Sequence, residues 1–427
     1  MNFTDQLFKV RSGLLLGFLV ISVPGLLVGE FIYFLAFLYL GCLWLLFVRN
    51  LKQAVDQVRL RRRAPDGIYE GGRLETSYYL ANEGDRPLFA PLARDRLPFS
   101  SDFESRARFP GLVNPGEVMV STYRTTCRSK FGRFTLGPTS IKLSDPLGFA
   151  EVTRVFEIYQ PLTLYPRWEP IAWLPIYGGR LRFSEHTKST SKTARGLDFY
   201  GIRQYHRGDS MRHIHWRSVA RHDELMVKQF EFPASSTVHM FLDLHRRRRR
   251  GLGSTTTLTA TTRLAASVAA HVVDEGHRIG LYGQGNRNLH LPPRGGDRQL
   301  FAILESLIDI KQEGDMELSE LLKSSLPDIG EEASVVLVVP TTRIDPWQYV
   351  RSLSILEGRR ASILVLLIDD RGLVRLDGQA DDYQRDWTLH ELKNAFLSQG
   401  AWCRIVDPEK KIAGQFPGRE QWVNSVG

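Results

Sequence analysis

Apolar residues run almost unbroken from Gly13 to Gly29 ("GLLLGFLVISVPGLLVG") and from Phe31 to Val48 ("FIYFLAFLYLGCLWLLFV"), with Glu30 as the charge between them. At 1.5 Å per residue each run reaches roughly 25 Å, close to the roughly 30 Å hydrocarbon core of a bilayer. The pattern predicts a two-helix transmembrane hairpin over residues 1–50, with spans at about 13–29 and 31–48. A cleaved signal peptide fits less well, because there are two runs and no small-residue cleavage pattern follows. The period then drops to two. "QVRLRRRA", "GRLETSYYLANEG", "EVMVSTYRTTCRS" and "PLTLYP" alternate, with turn signals such as "NEGDRP" and "NPGE" between them. That spacing predicts a β-sandwich-like domain over 51–170. From residue 233 onward short apolar runs ("STVHMFLDL", "ASVVLVVPT", "SILVLLID") alternate with helical stretches ("TTRLAASVAAHVVDEG", "WTLHELKNAFLSQG"). Nearly continuous apolar strands between helices predict a parallel sheet covered on both faces, a doubly wound α/β domain over 233–427. Residues 171–232 connect the two.

Charge adds a direction. The 427-residue chain has 56 Lys and Arg against 47 Asp and Glu, a net +9. Lys9 and Arg11 precede the first apolar run, and Arg49, Lys52, Arg59, Arg61, Arg62 and Arg63 follow the second. Positive flanks stay on the cytoplasmic side of a membrane. Both termini and the soluble domains are therefore expected in the cytosol, attached to the inner membrane as an integral protein. Cys42 falls in a predicted span, and Cys127 and Cys403 are far apart, which argues for neither a disulfide framework nor a zinc site.

Little of the soluble part reads as chemistry. Asp145 in "SDPLGF" precedes a proline and reads as a turn residue. "GLGSTT", after the first α/β strand, has neither the spacing nor the lysine of a phosphate loop, which disfavours nucleotide binding. Arg246, Arg247, Arg248, Arg249 and Arg250 follow the same strand as one block. Such a block reads as a solvated loop or as a surface for anionic lipid or an acidic partner. Nucleic acid is less favoured, because aromatic residues are not interleaved with the basic ones.

The densest stretch is "GIRQYHRGDSMRHIHWRSVARHDELMVKQFE", residues 201–231. His206, His213, His215 and His222 could act as bases, and Ser210 and Ser218 carry hydroxyls. In an extended segment, however, His213 and His215 share one side and Ile214 and Trp216 the other. One charged and one apolar face suit a domain joint better than a catalytic centre. Ile214 and Trp216 would pack inward, and Arg212, Arg217 or Arg221 would form forked pairs with Asp209 or Glu231. Tryptophan and arginine are also enriched at binding hot spots, so the joint can double as a partner surface.

This pattern resembles the domain-of-unknown-function-58 family, with matches at Arg203, Tyr205, Gly208, Asp209, Arg212, Ile214, Trp216, Ala220, Arg221, Lys228 and Glu231. The resemblance implies a membrane protein linked with MoxR-type AAA+ ATPases and an α/β domain similar to the von Willebrand factor A fold. That fold carries a metal-binding DxSxS motif after its first strand. Here the matching positions are Asp243, His245 and Arg247, so only the aspartate is retained. Imidazole suits a hard cation poorly and a guanidinium cannot ligate one, so neither a metal nor another cofactor is expected. The reading is a membrane-anchored adaptor that presents its α/β domain to a cytosolic protein partner, plausibly such an ATPase, with no catalytic residues assigned. The alternatives are a hydrolase using the motif histidines and acids, and a polyanion-binding protein acting through the arginine block.

Overall fold

The computed structural model describes residues 31–97, 104–127, 131–146, 151–176, 198–204, 226–231, 236–253, 255–374, 387–419 and 422. The chain divides into two compact units, Met1–Arg167 with Leu304–Ile310 and Trp168–Ile303 with Lys311–Gly427.

Period-two alternation builds the first unit. Strand Arg73–Asn82 turns Leu74, Thr76, Tyr78, Leu80 and Asn82 inward. It lies antiparallel between Val58–Arg63 and Val118–Thr126. A second antiparallel sheet runs in the order Glu151–Phe156, Thr139–Ser144, Leu92–Arg96, Glu104–Arg108. Leu60, Tyr78 and Leu80 of the first sheet share one core with Ala93, Ile141, Leu143 and Val152 of the second. A smaller sheet of Gly67–Tyr69, Gln160–Tyr165 and Gly132–Leu136 has its own core around Leu136, Leu162 and Leu164.

The transmembrane hairpin has to be corrected. Its first run lies outside the described residues, and its second forms the start of a longer helix, Phe31–Asp56. Among the described residues no helix is long and apolar enough to cross a membrane. The helix runs on through Arg49, Lys52 and Asp56. Its last turns belong to the β unit: Val55 is fully buried in the sandwich core, Leu51 and Ala54 pack against it, and Arg154 donates to the Val55 carbonyl at 2.8 Å. The apolar run was read as lipid-facing, whereas the end of its helix is a packed element. The orientation drawn from the flanking charges rested on that hairpin.

The second unit is built on a six-stranded sheet. Its strands and helices are β1 Thr237–Leu242, α1 Thr257–Asp274, β2 Arg278–Gln284, β3 Asn288–Arg294, the start of α2 Asp297–Ile308, whose end from Leu304 is grouped with the first unit, α3 Leu318–Ser325, β4 Ser334–Pro340, α4 Val350–Gly358, β5 Ser362–Ile368, α5 Leu389–Ser398 and β6 Trp402–Val406. The strand order is β3-β2-β1-β4-β5-β6, parallel except for the edge strand β3. Every residue of β4 is buried, which explains its unbroken apolar run. Val335, Leu337, Val339, Val365 and Leu367 meet Leu322 of α3, Leu353 of α4 and Phe396 of α5 in one core. Helix α1 packs along β1, β2, β4 and β5 and buries Leu264, Val268 and Val272. Strand alternation assigns it Val336, Val338, Leu364 and Leu366, so both faces are covered. The chain starts in the middle of the sheet, winds out to β3 and returns to β4, which places a switch point between β1 and β4. In open α/β sheets that is where ligands gather, beyond the carboxyl ends of the strands.

Candidate functional site at the carboxyl end of the sheet

Strand β1 delivers Asp243 to this switch point, with 1% of its surface exposed. Its backbone N–H donates to the Val338 carbonyl, which ties it to β4. One carboxylate oxygen, Oδ1, accepts from the His245 backbone N–H at 3.1 Å. The other accepts from Arg248, whose side chain is buried and whose second guanidinium nitrogen reaches Glu317 Oε2 at 2.7 Å. His245 caps the short 3-10 turn Arg246–Arg248 by accepting from the Arg247 N–H through Nδ1 at 3.1 Å. That bond leaves the proton on Nε2, which faces Glu317 Oε1 at 3.7 Å. The backbone is pinned as well, by the Arg246 N–H to Gly314 and the Gly314 N–H to Leu244. A side chain at 314 would run into the Gln284 carbonyl, so the close approach requires glycine there.

The arginine block is therefore not five equivalent solvated residues. Arg246, Arg247 and Arg249 are exposed, and Arg246 pairs with Asp315 at 2.6 Å. Arg248 turns inward and acts as a cation of the core. Arg250 is half-buried; its N–H donates to Thr257 Oγ1 at 3.1 Å. A fixed guanidinium thus lies against the one retained acid of the metal-binding pattern. A divalent ion there would have to share Asp243 with a positive charge at hydrogen-bonding distance, beside a histidine and an arginine in the serine positions. This donor set does not fit a hard cation.

Behind the ion pairs lies a buried polar layer at the ends of β4 and β5. Asp370 Oδ1 accepts from Thr341 Oγ1 at 2.8 Å and from the Thr342 N–H at 3.0 Å. Thr257 donates to Gln312 Oε1 at 2.7 Å. Among the described residues, Gln312 Nε2 and Arg250 Nε are buried here without a hydrogen-bond partner. Burial pushes the Tyr349 hydroxyl up to about 12. It also raises the Asp370 carboxyl above its ordinary 3.8, against the threonine hydrogen bonds and the charge of Arg250. The native state therefore holds this proton more tightly than the unfolded chain does. Stability is lost as pH rises from the unfolded value, about 4, through the folded one. Asp370→Asn mimics the protonated acid, so its melting temperature relative to the wild type should be higher at pH 7 than at pH 3.5. A difference that does not change with pH contradicts this assignment.

Two paired strands flank the histidine-rich motif. Strand Asp198–Gln204 pairs antiparallel with Met226–Glu231, which sets Arg203 opposite Val227, Lys228 opposite Ile202 and Glu231 opposite Asp198. Tyr205, Gly208, Asp209, Arg212, Ile214, Trp216, Arg217 and Arg221 lie outside the described residues, as do the four histidines. The forked pairs and the inward tryptophan expected there lie outside them too. Conversely, Glu317, Gln312, Thr341, Thr342 and Asp370 were not anticipated. The available signal was polar residues directly after the apolar runs of β4 and β5, in "VVPTT" and "LLIDD".

Residues 201–381, which take in most of this strand pair, β1 and the whole ion-pair site, match the family model described as protein of unknown function DUF58. Over that stretch the chain is similar to the DUF58 family. A relative in Bacillus subtilis, the uncharacterized protein YeaD, is 24% identical over 289 residues, covering 65% of this chain and 67% of that protein. Among solved structures, the CARDB domain of a Pyrococcus furiosus protein is 12% identical, with a TM-score of 0.18 over 25% of this chain and 86% of that one. An exo-β-N-acetylglucosaminidase from Vibrio harveyi is 8% identical, with a TM-score of 0.19 over 82% of this chain and 75% of that one. Likenesses at these scores carry no argument about this chain.

Proposed function

We propose that this chain works as a binding scaffold, docking an acidic surface of a protein partner on the arginine turn of its α/β unit. A MoxR-type AAA+ ATPase, suggested by the family resemblance, is the first partner to test. The observation that supports the reading is the division of labour within the turn. Arg248 neutralises the buried Asp243 and the partly exposed Glu317, while Arg246, Arg247 and Arg249 stand outward on a backbone fixed by the His245 cap and the Gly314 hydrogen bonds. A turn backbone that is already fixed loses little further entropy on binding, and complementary charge accelerates encounter.

The test is binding of a purified MoxR-type ATPase to the full chain, compared with the Arg246→Ser/Arg247→Ser/Arg249→Ser variant at low and high salt. The expected result is affinity at least ~10-fold weaker in the variant, about 1.4 kcal/mol, with a smaller salt dependence and unchanged melting. Equal affinity of the two proteins overturns the reading. Loss of binding to anionic vesicles, with the ATPase unaffected, replaces it with the lipid-binding alternative.

A further inference from the structure

At the amino end of the same sheet, opposite the arginine turn, a cleft of about 430 Å³ opens between the starts of β1 and β2, the edge strand β3 and the segment 328–333 that leads into β4. Its size falls within the usual range of small-ligand sites. In the parallel pairing of β1 with β2, Thr237 lies beside Arg278 and His239 beside Gly280. Alternation along the two strands then sets Thr237 and His239 on one face of the sheet with Arg278 and Tyr282, and all four line the cleft.

Two observations separate it from an ordinary groove. The first is a histidine held in its floor. His239 is 3% exposed, stacks on Tyr282 with ring centroids 5.6 Å apart, and shares a hydrogen bond with the Tyr282 hydroxyl through Nδ1 at 3.2 Å. Burial raises the Tyr282 phenol and lowers the His239 imidazole, so the phenol keeps its proton and the ring is neutral. The phenol is the better donor and the imidazole nitrogen the better acceptor, which puts the ring proton on Nε2. Among the described residues Nε2 has no hydrogen-bond partner, and it is not one of the unpartnered atoms sealed from solvent. An N–H donor on a buried ring therefore faces the cleft. The second observation is charge that is present but not neutralised. Arg278 enters from β2, and Asp328 and Glu331 enter from the segment before β4. Because β1 lies between β2 and β4, the opposite charges are rooted about 10 Å apart, two strand spacings, on either side of His239. Arg278 donates to the Pro293 carbonyl at 3.0 Å, and among the described residues neither it nor the two acids forms an ion pair. The fold presents a cationic and an anionic wall to one cavity without joining them.

We propose that this cleft binds a short zwitterion, with its carboxylate on Arg278 and the His239 Nε2–H and its ammonium on Asp328 and Glu331. The separation of the two walls favours charges several bonds apart over an α-amino acid, whose two charged groups share one carbon. Tyr282, Pro292 and Pro293 supply an apolar wall for the stem between them. Free ω-amino acids and dipeptides both carry this chemistry.

Calorimetric titration of the full chain distinguishes these sources, with δ-aminovalerate and glycylglycine as the zwitterions and with valerate and pentylamine, each of which carries one of the two charges. Saturable heat with δ-aminovalerate alone assigns a free ω-amino acid, with glycylglycine alone a dipeptide, and with both the shared end-group chemistry. The zwitterion should bind at least ~10-fold more tightly than either singly charged compound, about 1.4 kcal/mol. Arg278→Gln should remove its advantage over pentylamine, and Asp328→Asn/Glu331→Gln its advantage over valerate. These positions are exposed, so melting should not change. His239→Phe retains a stacked ring but removes the donor, and should weaken the zwitterion and valerate without affecting pentylamine. The proposal is overturned if neither zwitterion binds saturably, if a singly charged compound binds as tightly, or if the exposed variants bind the zwitterion as the wild type does.

Discussion

Arg248→Met is expected to destabilise the α/β unit by about 3 to 5 kcal/mol, seen as an earlier urea transition of that unit, because it leaves Asp243 and Glu317 charged and unmatched. Asp243 is 1% exposed and cannot turn to water for compensation. Removing one partner of a buried pair costs far more than the pair contributes net, since the remaining charge keeps its desolvation penalty. Glu317 has 33% of its side chain exposed, so Asp243 should dominate the loss. Arg248→Lys should recover only part, because an ammonium cannot span two carboxylates with a rigid fork. A melting curve for Arg248→Met that overlays the wild type would make Arg248 a surface residue in solution.

Arg62→Met should have an effect of similar size, about 3 to 5 kcal/mol, on the β unit. Arg62 and Asp95 have 0% and 1% of their side chains exposed, at 2.6 Å. Arg62 also reaches Thr139 Oγ1 and the Leu136 carbonyl, and Tyr78 donates to the same Asp95 oxygen at 3.1 Å. Burial raises the Asp95 carboxyl even with Arg62 beside it. Without Arg62 it rises further, so the variant loses most stability above that raised value and regains part of it as pH falls and the acid takes up a proton. The measurement is urea unfolding at pH 5 and pH 7.5, with the larger deficit expected at pH 7.5. Arg62→Met/Asp95→Leu should restore much of the loss, because replacing both charges by apolar groups removes both desolvation penalties. An equal deficit at the two pH values would contradict the role given to Asp95.

These two arginines show how much was legible in the sequence. The strand periods were readable because burial writes them directly: alternation for the sandwich strands, continuous apolar runs for β4 and β5. In "VRLRRR" the same alternation places Val58, Leu60 and Arg62 on one face. Arg62 was nevertheless counted with its neighbours as a positive flank of a membrane span, because a sequence does not display a partner at Asp95, far along the chain. The arginine block misled similarly. Composition suggests five equal charges, and only the fold, which brings Glu317 beside Asp243, selects Arg248 for the interior. The hairpin failed for a related reason. Hydropathy marks residues 31–48 as apolar but does not show that their helix continues through Arg49 and Lys52 to seat Val55 in a β core. Asp243 stood out because a strand end is a local feature. Asp370 and Thr341 did not, since their meeting depends on the adjacency of β4 and β5.

The most direct test of the central claim, that Arg248 supplies the cation required by the acids at the carboxyl end of the sheet, is a double-mutant cycle. Unfolding free energies of the α/β unit would be measured for the wild type, Arg248→Met, Asp243→Leu and the double variant. If the guanidinium and the carboxylate compensate each other, the double variant will be less destabilised than the sum of the singles by about 2 kcal/mol or more. Single effects that add to within about 0.5 kcal/mol would show two independent residues and contradict the claim.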